Sequence, residues 1–518
     1  MWGQHYSNAF KVYKSHKVNR VQESSSVVDS DSTRTYWVLM VGVLLLLLWP
    51  VLDFRYPTMV DYPDHLARVK ILRHLNHEPV LQERYEIVPR AFPNLALELL
   101  GVYVFSWLSV PEAGKAALTF LMILFWGGCH LLGCVTGQGR PVWLASVAAL
   151  LVYNSTFLYG FFNYNFGIAL FLLALPTWLW YRRKRSFLRL LATTGLATAT
   201  YLAHLMGVGT LAVAIIFLTT VEWWQARRLR KELVLDLIPL GPSALLYASL
   251  GRYRGDTSSV MWGSLALKAK HMMVCLTTYS TRLTILYSIT CLVVLVIIVF
   301  KSCRLARSSL LSIGGVLLLL AVAFPAKQLF DGSDADARLV IPALAVMLLT
   351  VVVTMPRFWA RTAFILLLGT MCARVVEIHR AWKAGDALTR AQIQLFRSVP
   401  RGARVFPVVW LPSDIEANKR ERHVWHAIEY ATVDHLVFFP QLINVRGQQP
   451  LMLRNTSYNW ATPGLRADVV PWEKISRDYD FIYSYGVDAT FQRYLDGRYD
   501  QISMSGKGRI YRILGWSQ

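Results

Sequence analysis

Charge is scarce in this sequence. Only 17% of its 518 residues are Asp, Glu, Lys or Arg, against about 25% in an ordinary soluble domain. Acidic side chains are the scarcer sign, 32 against 54 basic ones. Cysteine is thin as well: the six present form no CxxC and no Cys/His ligand spacing, which excludes a disulfide framework and a zinc module. No GxGxxG or Walker loop occurs, so nucleotide binding has no sequence support. No internal repeat of fixed period stands out, which weakens an inverted-repeat transporter reading. Residues 1–35 are polar and Ser-rich and lack the short apolar core of a secretory signal; they read as a disordered cytoplasmic tail.

What remains is apolar. Hydrophobic residues make up 54% of the chain, which excludes a purely soluble enzyme and a disordered chain alike. A net charge of +22 in a soluble protein would suggest nucleic acid as partner. Here the surplus sits in short clusters between apolar runs, the pattern of loops on the cytoplasmic side of a membrane. The partner it implies is membrane lipid, and nucleic acid is excluded.

Apolar runs of spanning length cover 36–52, 116–136, 142–158, 163–181, 187–205, 207–224, 233–250, 284–300, 308–325, 339–355 and 362–378. The expectation is a polytopic α-helical membrane protein of about eleven transmembrane helices. With the tail inside, this threading puts Arg140, the run Arg182 to Arg185, the run Arg227 to Lys231, Lys301 with Arg304 and Arg307, and Arg357 with Arg361 all on the cytoplasmic side, as basic loops prefer. The agreement requires that the apolar stretch 94–110 not cross. Glu98 in its middle supports that, because a lipid-facing carboxylate costs several kcal/mol; a re-entrant or surface helix is expected there. The transmembrane part then occupies 36–382, and its first outer loop, 53–115, carries an interfacial helix. Residues 383–518 form a small periplasmic α/β domain, with strands at 405–410 and 480–487, a hairpin around Gly506, and helices near 421–435 and 488–496.

The densest polar constellation follows the first span: Asp61, Asp64, His65 and Arg68, running on to Lys70, Arg73, His74 and His77. Pro63 suits a first helical turn. The apolar side of the helix would lie on the membrane interface and its cationic side would meet headgroups. Asp-x-x-Asp ahead of such a run also has the form of a helix cap, in which both carboxylates only satisfy backbone amides. Two carboxylates and an imidazole at a membrane mouth can equally take a proton from a hydroxyl nucleophile.

A second constellation runs from Lys327 through Asp331, Asp334 and Asp336 to Arg338. Its acids lack the spacing of a calcium loop. Arg338, at the outer lip of a span with Asp336 close by, suits bidentate holding of a phosphate; its bland alternative is snorkelling. His204 lies near an outer span end, where a cavity role and an interhelical hydrogen bond are equally open. Asn163 and Asn165 read as a turn between short spans. His423, His426, Glu429, Asp434 and His435 read as a solvated helix face, since no HExxH-type ligand pattern supports a metal. No metal ligand is assigned, and a divalent cation is the one cofactor left open.

With VDYPDHLAR after span one, an interfacial helix behind it, DARLVIPAL at the lip of a later span and an outer C-terminal domain, the layout resembles the GT-C superfamily of integral-membrane glycosyltransferases. Its nearest likeness there is to the bacterial protein mannosyltransferase and aminoarabinose transferase group. The resemblance implies transfer of a sugar from a polyprenyl-phosphate-linked donor to an acceptor hydroxyl of a glycolipid, polysaccharide or protein, at the periplasmic face of a bacterial inner membrane, with inverting chemistry as the form the charges suit. It implies an acidic base in the first outer loop, Asp61 first and Asp64 second. The family's adjacent acids are here separated by Tyr62 and Pro63. Arg338 and Lys327 match the role of holding the donor phosphate, with His65, Arg68, His204 and Asp336 as further substrate contacts. The competing class is a non-catalytic transporter or scaffold subunit handling a glycolipid or polysaccharide.

Overall fold

A computed structural model describes residues 30–135, 150–226, 231–251, 260–301, 304–306, 309–325, 328–329, 332–350, 352–354, 356–440, 442, 448–454 and 469–513. Most of the expected tail, the first half of the 142–158 run, Lys327 and Asp331 lie outside the described residues.

Among the described residues five helices are long and apolar enough to cross a bilayer: Val110–Val135, Phe162–Arg183, Leu205–Ala226, Thr281–Lys301 and the apolar part of Arg357–Leu395. Shorter apolar helices fill the rest of the bundle, among them Phe187–Ala203, Ser309–Ala323 and Ala335–Thr350. Their shared core runs from Met40 and Leu47 through Trp178 and Ile341 to Trp382. The 233–250 run is divided by a 3-10 turn at Ile238–Leu240, where Pro239 lacks the N–H that an unbroken helix would use.

The stretch 94–110 makes only a short α turn, Ala96–Leu99, continued as a π turn, Leu100–Val104. Nine helical residues rise about 13 Å, far short of a hydrocarbon core of about 30 Å. Arg73 holds this turn by donating to the carbonyls of Gly101, Phe105 and Leu108.

Helix Arg357–Leu395 has 39 residues, about 58 Å at 1.5 Å per residue. It therefore outruns the bilayer, and it continues without a break through the expected boundary at 382/383. Its far end carries Gln392, whose side-chain oxygen accepts from the Tyr483 hydroxyl at 2.9 Å. That contact joins it to a four-stranded sheet of Val405–Val409, Phe481–Tyr485, Asp500–Ser505 and Gly508–Arg512. The Val405 and Phe481 strands pair in parallel, and the last two form an antiparallel hairpin beside them. Alternation along the Phe481 strand sends Phe481, Tyr483 and Tyr485 to one apolar layer and Ile482 to the other, as period two requires.

Two links bind this C-terminal part to the segment that follows the first apolar run. Tyr85–Ile87 pairs antiparallel with Leu451–Leu453, and Ala67, Ile71 and Leu75 share a core with Leu436, Leu442 and Leu451.

Candidate active site

Helix Tyr62–His74 begins with Pro63 in its first turn, and Asp61 stands at its N-cap. Asp61 makes no side-chain capping bond, so the helix-cap reading does not account for its carboxylate. Its backbone is fixed instead: the N–H groups of Val60 and Asp61 donate to the Tyr159 carbonyl at 2.8 and 3.0 Å. Such close approach needs Gly160, which has φ +104 and whose Cβ would lie 2.7 Å from the Tyr62 nitrogen.

The helix does not rest on headgroups with a cationic side. Tyr62 through Val69 are buried, because the C-terminal Glu429–His435 helix covers the face that the bundle leaves open. His65 and Arg68 point inward to Glu98, at 3.1 and 2.8 Å, and Asn163 donates to the other oxygen of Glu98 at 3.0 Å. Burial alone would raise the Glu98 carboxyl; Arg68 and His65 outweigh it and hold it down to about 2. Burial and the Arg68 guanidinium lower the pKa of His65, against the pull of Glu98. These two residues thus brace the helix against the Leu95–Leu99 segment. Asn163 is no loop residue either: it sits in the first turn of Phe162–Arg183 and accepts from the Leu97 N–H at 2.8 Å.

Asp64 is completely buried, and both its oxygens lack a hydrogen-bond partner among the described residues. His426 comes to it from the C-terminal part. Its Nδ1 lies 2.8 Å from Asp64 Oδ2, out of line for a hydrogen bond, and its Nε2 lies 4.0 Å from Asp61 Oδ1. His423 and Glu429, 3% and 1% exposed, are therefore not on a solvated face, whereas Asp434 at the end of the same stretch is exposed. Burial opposes charge on His426, but Asp64 and Asp61 outweigh it and push its pKa up to about 9. Burial and the neighbouring Asp64 raise Glu429. Asp61, with 15% of its side chain exposed, is raised to about 7 by burial and by Asp64, against the pull of His426, Arg68 and Arg338. The ligand atoms of Asp61, Asp64 and His426 lie within 4.8 Å of one another, a spacing that would admit one divalent cation.

Arg338 opens helix Ala335–Thr350, and its guanidinium covers the rings of Phe161 and Tyr164 at 4.6 and 5.7 Å. The Tyr159–Tyr164 segment therefore carries the Asp61 backbone at one end and Arg338 at the other. Beside Arg338 stands His204, in the break between Phe187–Ala203 and Leu205–Ala226. His204 Nδ1 accepts from the Met206 N–H at 3.0 Å, which assigns the proton of a neutral ring to Nε2. Nε2 in turn lies 3.4 Å from Arg338 Nη1. Two donors face each other there with no acceptor between them.

Asp336 is not beside Arg338. It is fully buried and receives His271 Nδ1 at 2.7 Å, with Lys268 Nζ at 3.9 Å. It ties the Leu265–Met272 helix to the first turn of Ala335–Thr350.

Sequence reading missed Glu98, Glu429 and His426 as members of this cluster. For Glu98 a signal existed, a lone carboxylate in an apolar run. For His426 the signal was only polarity.

No protein-family model matches the sequence, and a search of curated proteins returns no match. Among solved structures, the fold is similar to the crystal structure of ArnT from Cupriavidus metallidurans bound to undecaprenyl phosphate: TM-score 0.54, 11% identity, 93% of this chain and 98% of that chain covered. The apo form of that protein aligns over the same shares at TM-score 0.41. The bound form supports a GT-C-like fold for this chain.

Proposed function

We propose that this chain is an integral-membrane glycosyltransferase of the bacterial inner membrane, moving a sugar from a polyprenyl-phosphate-linked donor to an acceptor hydroxyl at the periplasmic face. The observation that supports it most is the pairing of a partly exposed carboxylate, Asp61 near pKa 7, with two converging donors, Arg338 and His204, around one short segment. The ArnT structure of similar fold was solved with undecaprenyl phosphate bound, which makes a polyprenyl phosphate the natural ligand to test first.

In this reading the acceptor oxygen attacks the anomeric carbon and the bond from that carbon to the phosphate oxygen breaks. The leaving phosphate takes the electron pair. Arg338 and the Nε2–H of His204 meet the charge that grows on it, while Asp61 takes the acceptor proton. A pKa near 7 serves a base at neutral pH, since half the carboxyls are ionised and each is as basic as that allows. Asp64 and His426 would hold, with Asp61, any divalent cation, whose chemistry there would be to acidify a bound hydroxyl; such a cation would stand in place of the His426 proton.

The test is transfer by the purified protein in lipid, supplied with polyprenyl-phosphate-linked sugars, comparing wild type with Asp61→Asn, Asp64→Asn and Arg338→Ala. Loss in Asp61→Asn together with a raised donor requirement in Arg338→Ala supports the reading. Undiminished transfer in both acidic variants removes the base, and no transfer by any form returns the chain to the transporter or scaffold class.

A further inference from the structure

Helix Phe162–Arg183 has 22 residues, about 33 Å at 1.5 Å per residue, so its two ends stand at opposite membrane surfaces. Asn163 marks the end beside the candidate active site. At the other end a cavity of about 300 Å³ is lined by Leu179, Arg182, Arg183 and Arg185.

The guanidiniums there are held in place before any ligand arrives. Asp236, fully buried, accepts from Arg182 Nε at 3.0 Å and lies 2.9 Å from Arg185 Nη2, and Glu222 also takes Arg182. Arg182 lies over Trp178 at 4.7 Å, Arg185 over Tyr181 at 5.9 Å and the nearby Arg189 over Trp180 at 4.2 Å. Among the described residues Arg183 donates one long bond, 3.3 Å, to the Val135 carbonyl. Counting Lys184 and Arg189, five basic groups meet two acidic ones, so positive charge remains over. Exposed Trp180 lies under Arg189, and exposed Trp223 and Trp224 follow Glu222 in the chain; aromatic side chains of this kind are enriched at a headgroup layer. Guanidiniums prearranged in fork geometry suit phosphate oxygens, and at this depth the phosphates at hand belong to lipids.

We propose that this cavity binds the phosphate headgroup of an anionic phospholipid, in the leaflet opposite the candidate active site. The site is independent of the glycosyl-transfer reading, because neither the cavity nor its ligand takes part in that chemistry. Basic pockets between helices on this side recognise anionic headgroups by charge, each arginine contributing about a fivefold gain in affinity.

The experiment is native mass spectrometry of the full-length chain in detergent, titrated with phosphatidylglycerol or with phosphatidylcholine of the same acyl chains. Arg183→Gln and Arg185→Gln are compared with wild type, and thermal unfolding without added lipid serves as the folding control. Phosphatidylglycerol is expected to be retained at least about tenfold better than phosphatidylcholine, and Arg183→Gln to cut that preference roughly fivefold at unchanged melting temperature. Arg183→Gln is the deciding variant, because Arg185 also anchors Asp236. Equal retention of the two lipids would overturn the proposal, and so would a preference that survives both substitutions. Inorganic phosphate displacing the lipid at equal concentration would assign the cavity to soluble phosphate and overturn the lipid source.

Discussion

His426 stands between the two carboxylates of the first outer loop, its Nδ1 2.8 Å from Asp64 and its Nε2 4.0 Å from Asp61. The C-terminal part thereby supplies the cation nearest to the residue proposed as base. Removing it leaves Asp64 buried with no compensating charge, a change that costs roughly 3–5 kcal/mol where a buried pair is broken. His426→Ala is expected to lower the melting temperature and to raise the pKa of Asp61. The stability it confers depends on pH in a definite direction. The folded pKa, about 9, lies above the ordinary 6.5, so the contribution is complete below pH 6.5 and disappears as pH rises through 9. Wild type and variant should therefore differ in thermal unfolding at pH 6 and converge above pH 9; a constant difference would deny the ion pair.

Transfer should rise with pH below neutrality if Asp61 is the base. Its folded pKa of about 7 means that the protonated, inactive form dominates below that value. The rate should fall about tenfold per unit on the acid side and level off above pH 7 to 8. Asp61→Asn should remove both the rate and this limb. A profile flat from pH 5 to 8 would assign the proton to another group.

Glu98→Gln tests the brace under the helix. Glu98 is held at about 2, below its ordinary 4.5, so its contribution is present above pH 4.5 and is lost as pH falls through 2. The glutamine keeps the shape but takes the charge away from the acid that buried Arg68, 3% exposed, donates to at 2.8 Å. A loss of roughly 1.5–3 kcal/mol follows for the weakened charge-assisted bond, read as a lower melting temperature at pH 7 that His65→Phe alone does not reproduce.

Much of the frame was legible because the bilayer leaves a chain few options. Apolar length marks helices, and the alternating runs at 405–409 and 481–485 became strands. Asp61 stands out by its place after the first span, and its role as base rests on the proposal above. The partners of its helix were not legible: polarity marks His65, Arg68 and His426 as needing something, but a buried acid, Glu98 for the first two and Asp64 for the third, satisfies them as well as a headgroup would. One error was avoidable. Asp336 and Arg338 are two apart in a helix, and i, i+2 side chains point to different sides, which is why Asp336 meets His271 and Arg338 does not meet Asp336.

Gly160→Ala should damage the site without touching a charged group. At φ +104 an alanine is strained, and its methyl would press on the Tyr62 and Asp61 nitrogens at 2.7 and 2.9 Å. A cost of about 1–3 kcal/mol is expected for strain of this kind, together with a fall in kcat larger than any rise in donor KM, since the base and not the phosphate contact moves. An unchanged kcat would show that the Asp61 backbone position does not matter.

The facing donors of Arg338 and His204 make the sharpest demand on the donor substrate. Neutral His204 presents Nε2–H because its Nδ1 is taken by the Met206 amide, and the guanidinium 3.4 Å away presents another N–H. Donor against donor is repulsive until an oxygen with negative charge accepts from both. Arg338→Lys keeps a charge but loses the fork, and His204→Phe keeps a ring but loses the N–H. Each is expected to raise the donor KM about tenfold, the order of one charge-assisted hydrogen bond. The double variant should cost less than the product of the two, because one phosphate oxygen serves both donors. Steady-state kinetics with the lipid-linked sugar decide it, and full additivity would place the two residues on separate parts of the substrate.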